Sequence, residues 1–281
     1  MPLWMADAVH AFADRRLAAD IRYVEGSIAT KALVAKDADV LMQGAVAMIG
    51  GDLNGGLDLA YVAAEINHSS SSLNVGSGIQ TAADLKGKIV GTDQPGTITN
   101  YQTTVMLSQL GLQPSDVSLR AVGGSSVQIS SLLSGQLQAA TLSPPFSFQA
   151  VAKGFKPLTT GYQIPLLDVG AVVERTRIDA LTPALVAFVE GCRQGIQAFN
   201  DQRDLALKVM QQYTKETDQN ILQTTYDFYK TSVPYQENQQ PLLQGIQGVL
   251  DFLGKTTVPA AKTAKAEQFV DSRVLSHMAQ N

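Results

Sequence analysis

A chain of 281 residues that is 45% hydrophobic and 16% charged has material for a large core, and for two lobes rather than one. A net charge of −4 with scattered Lys and Arg leaves no basic footprint and argues against nucleic acid as a partner. One cysteine, Cys192, excludes an internal disulfide and a multi-cysteine zinc site, and no run of about 18 apolar residues is present to span a membrane.

Ala6 to Leu17 reads as a helix and Asp20 to Glu25 alternates as a strand. Gly26 and Ser27 open a second helix through Ala35, and Asp39 to Gln43 is a short strand. Gly44 starts another helix, closed by the glycines around Gly50 and Gly55. Leu57 to Ala64 is strand-like, Glu65 to Ser72 a polar loop, and Leu73 to Val75 extended again. Thr81 and Asp84 form a capping-box-like pair ahead of a one-turn helix stopped by Gly87.

One cadence then recurs: a short apolar strand, a small hydroxyl- or glycine-rich turn, and a helix. Lys88 to Gly91 leads into Gln94 to Thr99, where Thr97 or Thr99 can cap a helix that ends at Gly111 before Pro114. Val117 to Val122 leads into Gly123 and Gly124, with Ser125 or Ser126 capping a helix to Gly135. Ala139 to Leu142 leads into Ser143-Pro144-Pro145-Phe146 and a helix ending at Gly154. Asp168 to Val173 is one more strand, and beyond Thr182-Pro183 the pattern is helical: 184–199, 204–213, 219–230, 242–253 and a short helix near 266–278.

Strands alternating with helices imply βαβ units and a mainly parallel α/β sheet. In such a sheet, strand C-termini and helix N-termini share one edge, where backbone N–H groups and helix dipoles favour a polar or anionic ligand. Thr97, Thr99, Ser125 and Ser143 then form a rim of small donors, though each also reads as an ordinary cap. Trp4 is either a core anchor or an aromatic wall for the ligand, His68 a solvated loop residue or a contact, and Phe146 a core or a lining residue. Catalytic patterns are thin. His10, His68 and His277 make no metal-ligand spacing, and no nucleophile elbow or phosphate loop occurs. No enzyme, no cofactor and no metal site is expected.

Several runs stand in a familiar order. Pro2-Leu3-Trp4 is followed by Tyr23-Val24-Glu25-Gly26, then Ala82 and Asp84-Leu85-Lys86-Gly87-Lys88 with Val90-Gly91. Gly111-Leu112, Val122-Gly123-Gly124, Leu133 with Gly135-Gln136, Leu142-Ser143-Pro144-Pro145-Phe146 and Lys153-Gly154-Phe155 complete it. Over roughly residues 2–175 the chain resembles the periplasmic solute-binding proteins of ABC transporters for sulfonates, nitrate and taurine, which are related to thiamine-pyrimidine synthesis proteins. The resemblance implies a type II periplasmic-binding fold, two doubly wound lobes joined by a hinge and followed by C-terminal helices. Lobe 1 would be residues 1–80 plus 168–281, and lobe 2 residues 81–167. The family has a strand before its Pro-Leu-Trp turn, which would lie upstream of Met1 together with any export signal.

By matched position, the resemblance implies a ligand cleft formed by Leu3, Trp4, Gln43, Gly44 and His68 of lobe 1. Lobe 2 would add Gln94, Gly96, Thr97, Ile98, Thr99, Ser125, Ser143, Pro144 and Phe146. The implied function is the substrate-binding component of an ABC importer, capturing a small organic or anionic solute by hinge closure. The expected partners are that solute and a membrane permease, with a monomer in the periplasm or otherwise outside the cytoplasm. Sulfonate binders of the family place an arginine in the cleft. None of these turns carries one, and Arg120 lies inside a strand. The alternatives are a pyrimidine-precursor synthase-like enzyme, for which the fungal cysteine-rich signature is absent, and the ligand-sensing domain of a regulator.

Overall fold

The computed structural model describes residues 1–24 and 26–280. In chain order its first elements are α1 (Pro2–Ala8), α2 (Gly26–Val34), β1 (Leu41–Gln43), α3 (Ala45–Gly55), β2 (Leu59–His68) and β3 (Ser72–Val75). Then come β4 (Ile89–Thr92), α4 (Ile98–Gln109), β5 (Ser118–Ala121), α5 (Ser125–Leu133), β6 (Ala139–Leu142) and α6 (Phe146–Ala152). The last are β7 (Lys156–Thr160), β8 (Pro165–Glu174), α7 (Ile178–Asp201), α8 (Arg203–Thr214), α9 (Gln219–Thr231), α10 (Leu243–Thr256) and α11 (Arg273–Met278). Among the described residues no helix is long and apolar enough to cross a membrane.

The chain divides into two units. One comprises Met1–Asn67, Pro165–Thr217 and Tyr226–Asn281, and the other His68–Ile164 with Asp218–Thr225. The division expected after residues 80 and 167 falls instead after 67 and 164. The reason is β3, which hydrogen-bonds to β6 and β7 and so belongs to the second unit's sheet.

In the first unit, β8 lies between β1 and β2. It runs antiparallel to β1, with Leu41 opposite Val172 and Gln43 opposite Gly170. Leu59 to Ala64 is a near-continuous apolar run because it is buried along its whole length. Ala60, Val62, Ala171 and Val173 pack with Leu185 and Val189 of α7 and with Val274 and Leu275 of α11. Helix α1 lies against α7 so closely that a Cβ added at Gly195 would stand 2.8 Å from the Ala6 backbone nitrogen and would also collide with the Pro2 carbonyl.

Four expectations for this unit and its border with the second need correction. The helix foreseen over Ala6 to Leu17 is α1 and then a one-turn 3-10 helix at Ala13–Arg15. His10 takes a φ of 57° between them, which turns Phe12 onto Phe188, ring centroids 5.7 Å apart. The strand foreseen over Asp20 to Glu25 does not form over residues 20–24, which have neither strand nor helix and no ladder partner among the described residues; Glu25 lies outside them. A strand needs a neighbour to satisfy its backbone, and alternation alone supplies none.

The polar loop foreseen over Glu65 to Ser72 is largely interior. β2 continues to His68, and Asn67 and Ser69 to Ser72 are buried. Distant partners make this possible: Asn67 Nδ2 donates to the Gln240 carbonyl at 2.7 Å, and the Leu242 amide donates to Asn67 Oδ1 at 3.1 Å. The tail helix foreseen near 266–278 is broken into a 3-10 turn at Ala266–Phe269 and α11, with a bridge from Val270 to Tyr61 between them. Asp271 fixes that break. Its side chain, 10% exposed, accepts from Arg273 Nη2 at 2.8 Å and Arg175 Nη1 at 3.1 Å.

In the second unit the strand order is β5-β4-β6-β3-β7. β4 is parallel to both β5 and β6, whereas β3 is antiparallel to β6 and β7, so the sheet is mixed rather than mainly parallel. β7 has no clear strand signal in the sequence because Pro157 lacks a donor. The edge position and a shift of register between Leu73 and Asn74 accommodate it.

Two outcomes test this packing. Gly195→Ala gains up to about 1 kcal/mol of helix propensity. It must also push backbone apart, a cost of about 1–3 kcal/mol that outweighs the gain. The urea midpoint should therefore fall, and an unchanged midpoint would mean that α1 is not seated on α7. Asp271, held below the ordinary carboxylate range first by its bonds to Arg273, contributes stability above that range and loses it as pH falls through its lowered value. Asp271→Asn should cost about 1 kcal/mol at neutral pH. Melting curves of the two proteins should converge in acid.

Candidate functional site

Three strand-to-helix turns lie side by side at the C-terminal ends of β4, β5 and β6. The first begins where Gly91 brings β4 close to its neighbours, a Cβ there meeting Gln128 Oε1 at 3.3 Å and the Ala139 carbonyl at 3.5 Å. Gly96, at φ 84°, turns the chain into α4. Thr97 caps that helix: its Oγ1 accepts from the Asn100 amide at 3.3 Å and donates to the Gln94 carbonyl at 2.8 Å. Ile98 and Thr99 follow in the first turn, half-buried, with the Thr99 hydroxyl lacking a partner among the described residues.

The second turn differs from expectation. Neither Ser125 nor Ser126 caps α5; Gly124 holds the cap position in extended conformation without a side-chain bond. Ser125 instead turns towards the third turn, where its Oγ accepts the Ser143 amide at 3.2 Å and lies 3.3 Å from Ser143 Oγ. Pro144 is buried beside Ser143, and Phe146 packs against the cluster of Ile129, Leu132, Leu137 and Leu142.

Buried side chains behind the rim fix the spacing of the turns. Thr103 Oγ1 donates to the Thr99 carbonyl at 2.7 Å and lies 2.8 Å from Thr141 Oγ1 and 3.2 Å from Thr92 Oγ1, tying α4 to β6 and β4. Gln128 spans the other gap, donating to the Gly123 carbonyl at 2.8 Å and accepting the Thr141 amide at 3.1 Å. Sequence reasoning missed Thr103 and Gln128; the only signal was a polar residue on a helix face that should be buried. The result is an edge of backbone N–H groups and hydroxyls with no cationic side chain in the three turns. Arg120 is exposed on β5.

The candidates in the first unit are more dispersed. Leu3 packs against Ala6, Ala11, Phe12 and Cys192. Trp4 stacks on Tyr213 of α8, centroids 4.3 Å apart and planes 2° from parallel, a partner no local pattern could reveal. Gln43 closes β1, its carbonyl accepting from the Tyr61 hydroxyl at 3.2 Å and its Oε1 lying 3.4 Å from Thr30 Oγ1. Gly44 is the cap residue of α3; His68, half-buried, ends β2 and is the first residue of the second unit.

Burial pushes the Cys192 thiol well above its ordinary value, which makes a poor nucleophile of it. Burial likewise raises the carboxyl of Glu65, whose Oε1 has no hydrogen-bond partner among the described residues. Among the described residues no three His, Cys, Asp or Glu side chains gather as a metal site.

The fold has well-matched precedents. The periplasmic aliphatic sulphonate binding protein SsuA of Escherichia coli superposes with a TM-score of 0.79 at 17% identity, over 96% of this chain and 88% of the other. The alkanesulfonate-binding protein SsuA of Xanthomonas axonopodis pv. citri, bound to MOPS, gives 0.76 at 17% identity over 98% and 93%. DszB in complex with biphenyl-2-sulfinic acid gives 0.73 at 13% identity over 99% and 95%. No protein of curated function matches the sequence significantly. The profile described as NMT1/THI5 like matches residues 1–153, more than half of the chain. On that match the protein belongs to the NMT1/THI5-like family, and its fold is that of the periplasmic solute-binding proteins.

Proposed function

We propose that this protein is the substrate-binding component of an ABC importer and takes up a small organic or anionic solute at the rim formed by Gln94 to Thr99, Ser125 and Ser143. The observation that carries this reading is the triple turn itself. Parallel pairing of β4 with β5 and β6 directs the N-termini of α4 and α5 and three hydroxyl-bearing turns to one edge. Amide dipoles and hydroxyls there can complement negative charge or a polar head group without a buried cation. Sulfonate binding by two proteins of the same fold supports an anionic head.

Leu3, Trp4, Gln43 and Gly44 of the first unit and His68, the first residue of the second, are further proposed contacts of the solute. Pro144 and Phe146 shape the third turn. Closure of the units on the solute stabilises the closed form through contacts the open form lacks. The proposal carries with it a monomeric receptor outside the cytoplasm, a membrane permease as partner and no bond-making step. Family membership and the preponderance of binding proteins among the structural relatives support it.

A melting screen against alkyl sulfonates, nitrate, taurine, thiamine pyrimidines, aromatic carboxylates and small amides tests the function. A true solute at ~100 times its dissociation constant adds ~2.7 kcal/mol. That gain should raise the midpoint by several degrees, and no shift from any member would contradict the reading. Two variants then test the place. Thr99→Trp should weaken binding at least about tenfold with little change in melting, because the lost hydroxyl holds nothing. Thr97→Val should lower both binding and stability, the latter by about 1 kcal/mol for the lost cap. Undiminished binding by Thr99→Trp would move the solute elsewhere.

A further inference from the structure

The segment that fails to become a strand has a second use. Ala19, Ile21 and Tyr23 stand at every second position along it. Together with Trp4 and Asp7 of α1 and Tyr213 of α8 they line a cavity of about 420 Å³ within the first unit. Asp20 and Arg22, which are not part of that lining, form an ion pair with each other. Asp7 is therefore the charged side chain that lines the cavity, and its spacing of three residues from Trp4 places both on one face of α1.

The aromatic surface is unusual for its exposure. Trp4 and Tyr213 stack face to face, so their outer faces point in opposite directions and the stack can offer the cavity one ring face. Tyr213 is 38% exposed and Tyr23 89% exposed, although rings of this size ordinarily bury most of their area in a core or an interface. Ring faces carry negative electrostatic potential, and a carboxylate adds a full negative charge. Nothing in the lining offers positive charge to an anion. A metal ion would want several oxygen or imidazole ligands, and a single carboxylate supplies too few. The combination suits a cation that is large, apolar at its surface and weakly hydrated.

We propose that this cavity binds a small organic cation of the quaternary-ammonium class, with one outer face of the Trp4–Tyr213 stack and the Tyr23 ring against its methyl groups and Asp7 as counter-charge. The site is separate from the rim of the second unit and does not rest on the importer reading. Trp4 is common to both, whereas Asp7, Ile21, Tyr23 and Tyr213 belong to this cavity alone.

Trp4 is the only tryptophan in the chain, so its fluorescence reports binding beside it, and the variants at Asp7, Tyr23 and Tyr213 assign the response to this cavity. Choline should change that fluorescence saturably. The neutral isostere 3,3-dimethylbutan-1-ol should bind about tenfold more weakly or worse. Asp7→Asn and Tyr213→Ala should each weaken choline about tenfold. Tyr23→Ala, a change at a largely exposed side chain that leaves the fold undisturbed, should weaken it in the same direction. No saturable response to choline, equal affinity for the neutral isostere, or unchanged affinity in Asp7→Asn and Tyr23→Ala would each overturn the proposal. Because the importer screen uses anions and neutral solutes, failure of one leaves the other standing.

Discussion

The second unit depends on one pairing: β4 runs parallel to both of its neighbours. Parallel strands need crossover connections, and here these are helices entered through short turns. Three strands of one direction therefore end on one edge, and the turns that follow them must solve the same problem there. Each helix begins with amides that have no intrahelical acceptor. Thr97 answers one of them with its hydroxyl, while Gly124 and Pro145 hold their cap positions without a side-chain bond. An edge that keeps unsatisfied donors is ready for an acceptor from outside.

That readiness needs rigidity behind it. Thr103 and Gln128 reach between elements whose backbones would otherwise be free to slide, and both are buried where an unpaired polar group would be costly. The Ser125–Ser143 contact links the second and third turns at the surface. The rim is thus positioned by hydroxyl and amide side chains rather than by ion pairs. This matches the low charge of the chain and the absence of arginine from the turns. In the first unit the order is reversed: ion pairs around Asp271, Arg175 and Arg273 pin the tail, and close helix contact at Gly195 seats α1.

Local signals in the sequence carried far in the second unit. Gly96, Gly111 and Gly135 take positive φ where the turns require it, and Thr81 with Asp84 makes the foreseen cap. What stayed hidden depended on partners far along the chain. Glu65 to Ser72 looked like a solvent loop because Asn67 finds its partners more than 170 residues away. Asp20 to Val24 looked like a strand because alternation also describes a segment whose every second residue lines a cavity. β7 was masked by Pro157, which only an edge position tolerates. The candidate rim was legible as a place, since the three glycine- and hydroxyl-rich turns after the strands announce it. The role of Ser125 was not, because choosing between its own helix and Ser143 is a tertiary decision.

The central claim is that the C-terminal edge of β4, β5 and β6 receives the solute. Backbone amide spectra titrated with ethanesulfonate, nitrate and taurine in turn test it most directly. The account predicts saturable shifts concentrated at residues 96–99, 123–126 and 143–147. Shifts concentrated at the opposite end of the same strands, near residues 76–78 and 135–138, or no saturable shifts from any of the three, would contradict it.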